Sequence, residues 1–138
     1  MVACNSHVLL TEGENTLYVF DVSAGHNLRD AGSLPQQTAI KALACACSDD
    51  ETLVAFAKAD SVSLHRLTSG PLRLEPLATS VNLKYPDRLL FCGELLLVAD
   101  RNRATTGSHA IVSFRATGNA LTERRVLLDD QDSVVVRD

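Results

Sequence analysis

The chain has 138 residues, 46% of them apolar, 4% aromatic and none Trp, and 13 basic against 17 acidic side chains give a net charge of -4. That length admits one ordinary domain with an aliphatic core of Leu, Val, Ala and Ile. The charge excludes the strongly basic class of free-standing nucleic-acid binders, and no apolar run reaches the ~20 residues that a membrane-spanning helix needs.

Taken in chain order, the segments read as short strands broken by turns. His7 to Thr11 is a short apolar strand, and Glu12-Gly13-Glu14-Asn15 turns the chain. Thr16 to Val22 alternates as a strand, and Ser23 to Gln37 reads as a polar loop with Gly25, Gly32 and Pro35. Ala39 to Cys47 alternates again. Its alanines favour a helix on propensity, but its neighbours match strands elsewhere, so it is assigned as a strand. Ser48-Asp49-Asp50-Glu51 is a tight turn in which Asp side chains bond the backbone. Thr52 to Ala57 and Ser61 to Leu67 follow as a pair. Leu72 to Leu77 reads as an outer strand, because Pro76 suits an edge. Arg88 to Cys92 and Glu94 to Ala99 pair around Gly93, the loop 100–108 follows, and His109 to Ala116 and Leu121 to Leu128 complete that unit. Ser133 to Val136 begins another strand. No segment holds a helical period, and turns about every 8–12 residues point to an all-β chain.

One strand signature recurs. Leu17-Tyr18-Val19-Phe20-Asp21 runs into Gly25, Val62-Ser63-Leu64-His65-Arg66 into Gly70, and Ile111-Val112-Ser113-Phe114-Arg115 into Gly118. The three glycines lie 45 and then 48 residues apart. A period of that length built from short strands predicts consecutive four-stranded antiparallel blades, part of a propeller, over approximately residues 1–37, 38–80 and 81–130, with the start of another beyond. Such a stack leaves sheet edges and an apolar flank to be covered by more chain or by a partner.

The four cysteines are Cys4, Cys45, Cys47 and Cys92. Cys45 and Cys47 share one face of a strand, but no second Cys or His pair stands at zinc-finger spacing. Free thiols in a reducing, intracellular compartment are expected, nuclear or cytoplasmic. Met1 to Leu10 has no basic start and carries polar Asn5, Ser6 and His7, so no secretory leader is read there. His7, His26, His65 and His109 are scattered, the glycines occur singly, and Asp49-Asp50-Glu51 lacks the spacing of a calcium loop. No metal and no cofactor is expected. Thr106-Gly107-Ser108-His109 sets a hydroxyl beside an imidazole, but a catalytic pair needs a third, orienting group, so it reads as a polar loop. Asp129, Asp130 and Asp132 read as a solvated acidic turn, and Arg124-Arg125 as exposed.

The blade ends carry a resemblance. Cys47-Ser48-Asp49-Asp50-Glu51-Thr52-Leu53-Val54-Ala55 looks like the first turn of a WD40-type blade. Thr16-Leu17-Tyr18-Val19-Phe20-Asp21 looks like its third strand, with Phe20-Asp21 where that family prefers Trp-Asp and His65-Arg66 and Phe114-Arg115 in the later repeats. Leu95-Leu96-Leu97-Val98-Ala99-Asp100-Arg101, leading to Ile111-Val112-Ser113-Phe114, is similar to the third blade of the non-catalytic WD-repeat subunit of tRNA (guanine-N7) methyltransferase. Phe20-Asp21-Val22-Ser23-Ala24 resembles the end of its first blade. Arg101 then stands where that family has its basic residue.

Arg101, Arg103 and Arg115 are the candidate partner or RNA contacts. Arg101 and Arg103 lie on a loop joining two strands, Arg115 ends the second, and strand pairing is expected to bring them together. Guanidinium groups so gathered call for acids or a phosphate. The reading from composition and repeats is a non-catalytic scaffold that binds another protein through loops on rigid blades. The resemblance implies a subunit that supports a catalytic partner and touches tRNA backbone through the complex. A propeller-type hydrolase or lactonase is the third reading, and needs converging Glu, Asp, Asn or His. No membrane and no small-molecule substrate is expected.

Overall fold

The computed structural model describes residues 1–4, 7–12, 15–22, 27–48, 51–80, 82–101 and 109–129. Arg103, Asp49, Asp50, residues 106–108, Asp130, Asp132 and the expected strand Ser133 to Val136 lie outside them. The described residues form twelve strands and no helix. The first sheet holds β1 (Val2–Cys4), β2 (His7–Glu12), β3 (Thr16–Val22) and β4 (Leu28–Pro35). The second holds β5 (Ala42–Cys47), β6 (Thr52–Ala57), β7 (Val62–Ser69) and β8 (Leu72–Ser80), and the third β9 (Pro86–Cys92), β10 (Leu95–Arg101), β11 (His109–Thr117) and β12 (Ala120–Asp129). Within each sheet every strand pairs antiparallel with its sequence neighbour. The chain is therefore all-β, as expected.

Four strands per sheet is an even number, so each meander returns to the rim it left. All three first strands accordingly run the same way. They also lie together: β1 is against β5 and β5 against β9, while β4 meets β8 and β8 meets β12 at the opposite margin. The linkers 36–41 and 82–85 and the turn after β6 share one rim. The turns after β7, β9 and β11 share the other.

Two apolar layers hold the stack. Leu17 and Val19 of the first sheet meet Val54, Phe56 and Leu67 of the second. Ala55, Val62 and Leu64 of the second meet Leu96, Val98, Val112 and Phe114 of the third. The second sheet is thus covered on both faces, which is why Thr52–Ala57 reads as an almost continuous apolar run rather than an alternating one. It also explains the Ala-rich β5: small side chains let the inner strands approach, and pairing with β6 overrides helix propensity.

Two expectations need correcting. The segment from Ser23 to Gln37 is not all loop, because Leu28–Pro35 is β4. Only Ala31 and Leu34 of this marginal strand join the core, so its other residues are free to be polar. A bulge between Val19 and Phe20 breaks its period further. Gly32 sits there at φ 134, and a Cβ would come within 3.0 Å of Leu72 in the next sheet. The second missed strand, β1, is three residues long and pairs only with β2. By contrast, Pro76 lies on the marginal strand β8, at a bulge between Leu64 and His65, where its missing N–H costs no ladder bond.

The linkers repeat a device. Ile40 and Leu83, each followed by Lys and then an inner strand, are both buried and plug the core from the rim. Among the described residues, no helix is long and apolar enough to cross a membrane.

Candidate functional site

Of the arginines predicted to gather, Arg101 and Arg115 lie apart. The register sets Arg101 opposite His109 and Arg115 opposite Leu95. Arg101 is therefore at one end of the β10–β11 pair and Arg115 at the other. Six residues of strand separate the two levels, about 20 Å. Sequence neighbourhood suggested proximity, but antiparallel pairing carries the end of β11 back to the start of β10. Arg103 lies outside the described residues.

Arg101 belongs to the rim of the linkers. Its Nε lies 3.5 Å from an Asp87 oxygen, and its guanidinium carbon is 4.9 Å from the centre of the Tyr85 ring. Lys41 Nζ is 3.3 Å from the same centre, so one phenol carries two cations. Asp100 fixes this corner. Buried at the end of β10, its carboxylate accepts from the backbone N–H of Lys84 at 2.9 and 3.0 Å and of Tyr85 at 2.6 Å. The Arg101 N–H donates to the Tyr85 carbonyl at 3.0 Å. Asp100 thus latches the linker to the third sheet and sets the Tyr85 ring beneath its cations. Lys41 and Arg101 thus bring two cations to this corner, the second beside the Asp87 carboxylate. Sequence reading found only Arg101, because Lys41 comes from a linker sixty residues earlier.

At the opposite rim, the second and third sheets use the same charge knot. Arg66 donates from Nε to Glu51 at 2.6 Å, from Nη1 to Glu75 at 3.2 Å, and from Nη2 to the Asn119 side-chain carbonyl at 3.1 Å. Arg115 donates to Glu123 at 2.5 Å and to Glu94 at 2.8 Å. In each case a third-strand Arg meets one Glu just before the second strand and another on the fourth. The hydrogen bond to Glu51 raises the Arg66 pKa, as that to Glu123 raises the Arg115 pKa. Arg115 in turn holds the Glu123 carboxyl below its usual range. Glu123 has φ 51, a left-handed conformation costly for its side chain. It sits in a bulge of the β11–β12 pairing, which turns its carboxylate toward Arg115. In the first sheet the register sets Asp21 opposite Arg29, as Arg66 is opposite Glu75. The polarity is reversed there. The same position on the third strand therefore holds a charge in every sheet.

A cavity of about 330 Å³ opens on this rim between the second and third sheets, lined in part by Cys47, Glu51, Leu53, Glu94 and Thr117. Two carboxylates in one cavity would suit acid–base chemistry, but each is bonded to an arginine. Among the described residues, no group of three His, Cys, Asp or Glu side chains stands at metal-binding distance.

The thiol expectation is corrected at two positions. Cys4 and Cys47, 43 residues apart in sequence, are joined as a disulfide with Cα atoms 5.7 Å apart. Each is the last residue of its inner strand, so the repeat itself brings them to the same level. Cys45 and Cys92 are free, and burial raises the Cys45 pKa. The argument for a reducing compartment loses the two bonded cysteines, since such bonds persist in oxidising surroundings.

His65 lies inside the first interface. Its Nε2 is 2.9 Å from Ser63 Oγ, and its ring is 4.8 Å from that of Phe56. Its Nδ1 is buried without a partner among the described residues. Burial, helped by Lys58, lowers its pKa to about 4, so the ring is neutral near pH 7.

No protein-family model matches the sequence, and no curated protein matches it.

Proposed function

We propose that the chain is a non-catalytic scaffold, part of a WD40-like propeller, that binds another protein. The observation that carries this reading is the stack itself. Three consecutive antiparallel meanders, with inner strand against inner strand and outer against outer, follow the layout of propeller blades. The apolar atoms go into holding the sheets together, and the turns at the two rims present the polar groups. Rigid sheets with exposed turns suit recognition. In the described residues the carboxylates best placed for acid–base work are tied to Arg66 and Arg115, which favours binding over turnover. The reading predicts co-purification with one defined protein at a fixed ratio. A purified chain that hydrolyses esters, lactones or glycosides, with activity removed by Glu51→Gln, would overturn it.

The second reading is the propeller subunit of a tRNA (guanine-N7) methyltransferase complex. The two cations over Tyr85, Lys41 and Arg101, favour it over a plain scaffold. Cations near an aromatic ring suit a phosphate backbone, and such binding weakens steeply with salt. This reading predicts tRNA binding that needs the catalytic partner, falls with salt, and weakens when Arg101 and Arg103 become Ala. Arg115→Ala serves as the control, because its guanidinium is engaged by two carboxylates about 20 Å away.

A further inference from the structure

We infer that the Cys4–Cys47 disulfide is a redox clasp: it holds the first sheet on the second, and its reduction by a dithiol lets the first sheet come away while the second and third stay joined.

The two interfaces are unequal. Between the second and third sheets both partners contribute broadly, with Ala55, Val62 and Leu64 meeting Leu96, Val98, Val112 and Phe114. Asp100, buried at the rim end of β10, is satisfied there by the backbone N–H groups of Lys84 and Tyr85. Between the first and second sheets, the first supplies Leu17 and Val19 to the buried cluster, and Ile40 comes from the linker. The second sheet turns Thr52, Ser63 and His65 to this same side, since they alternate with the residues that face the third sheet. All three are buried. His65 and Ser63 bond each other, but His65 Nδ1 is left without a partner among the described residues. A buried polar group left unbonded weakens the layer that holds it. The first interface is therefore the softer of the two, and it is the one that carries the bond.

The bond is also placed to be opened. Cys4 is 3% exposed, whereas Cys47 lies exposed at the end of β5. The thiolate of a dithiol reductant therefore attacks Cys47 Sγ. The bond to Cys4 breaks, its electron pair leaves on Cys4 Sγ, and that sulfur takes a proton. The second thiol of the reductant then attacks the mixed disulfide, releases Cys47 as a thiol and leaves the reductant as its own disulfide. The protein gains two electrons and two protons, and the dithiol loses as many. Cys45 shares the face of Cys47 on β5, but burial raises its pKa and keeps it a thiol rather than a thiolate, so it does not compete for the bond.

Opening leaves the linker 36–41 as the covalent tie between the two sheets. Separation uncovers Leu17 and Val19 on one side and Val54, Phe56 and Leu67 on the other. A meander that loses the cover of its apolar face holds its own hydrogen bonds poorly. The layer of Leu96, Val98, Val112 and Phe114 is untouched, so the third sheet keeps its protection. The inference concerns this interface alone and stands apart from what the chain binds.

The test is hydrogen exchange on the 138-residue chain, oxidised and in dithiothreitol, without denaturant, together with alkylation of the cysteines read by mass. Cys4 and Cys47 are expected to become alkylated together on reduction. Exchange in β3 and β4 should then rise by about tenfold or more while that in β10 and β11 stays the same. Removing the dithiol and adding oxidised glutathione should restore both. Cys45→Ser should respond like the native chain. A variant with Cys4 and Cys47 both replaced by Ser should exchange like the reduced chain and ignore the reductant; should it misfold by circular dichroism, the native chain in reductant decides by itself. Reduction that leaves β3 and β4 protected overturns the inference, because the bond then holds nothing that packing does not. So does reduction that speeds exchange alike in all three sheets, and so does a bond that dithiothreitol cannot open without denaturant.

Discussion

Arg66 in the second sheet and Asn119 in the third are bonded across the interface between them, Nη2 to side-chain oxygen at 3.1 Å. The same guanidinium holds Glu51 and Glu75 within its own sheet. One side chain therefore closes a turn, ties a marginal strand and fastens the neighbouring sheet. Arg115 does the first two of these tasks in the third sheet.

Replacing Arg66 by Met should consequently cost more than replacing Arg115 by Met. Thermal unfolding is expected to fall by a few degrees for the first and by less for the second, whose side chain is 43% exposed and more fully screened by water and salt. Equal losses would mean that the bond to Asn119 contributes nothing.

Acid should weaken the fold through His65. Its folded pKa, about 4, lies below the ordinary 6.5, so below pH 6.5 the unfolded chain takes up a proton that the folded chain refuses. Stability is then full above about pH 7, declines as pH falls from 6.5 toward 4, and levels off below. The loss between pH 7 and pH 5 is about 2 kcal/mol. Urea titrations at the two pH values measure it, and His65→Leu should flatten the difference by that amount.

The two buried phenylalanines anchor separate interfaces. Phe56 is fully buried in the layer between the first and second sheets, and Phe114 in that between the second and third. Phe56→Ala is expected to cost about 3–5 kcal/mol in denaturant unfolding. Because each sheet depends on its neighbour, hydrogen exchange should rise most in β3 and β6 for Phe56→Ala, and in β7 and β11 for Phe114→Ala.

The Cys4–Cys47 bond closes a loop of 43 residues in sequence separation, for which chain entropy gives about 4 kcal/mol. Dithiothreitol should lower the urea midpoint of the native chain accordingly. Cys47→Ser should sit at the lower midpoint from the outset and ignore the reductant; a reductant effect that persists in that variant would contradict the bond.

Asp100→Asn keeps the shape of the latch but removes its charge and one of its acceptor oxygens. A cost of about 1–3 kcal/mol is expected, with faster exchange at the amides of Lys84 and Tyr85. An unchanged exchange rate there would show that the linker holds its place without the carboxylate.

Strand content was legible because it is a local property. Alternation in Thr16–Val22, the apolar run Thr52–Ala57, the edge proline Pro76 and the turn at Gly93 each follow from how a pleated chain meets water and core. The recurrence of one strand signature likewise announced a repeating sheet. The marginal strand β4 escaped because its few core contacts, through Ala31 and Leu34, leave little pattern to read. The site was less legible. Arg101 was found, but its companions Lys41 and Tyr85 come from linkers without periodicity. Arg115 was assigned to the same place although the register puts it at the other rim. The meeting of Cys4 with Cys47, the charge knots of Arg66 and Arg115 and the burial of His65 all join residues far apart in sequence. By itself, then, the sequence determined strands, turns and their recurrence, since neighbouring residues set them. Only the tertiary structure decided which charges pair and which thiols bond, because pairing depends on strand direction and on how one sheet is laid against the next.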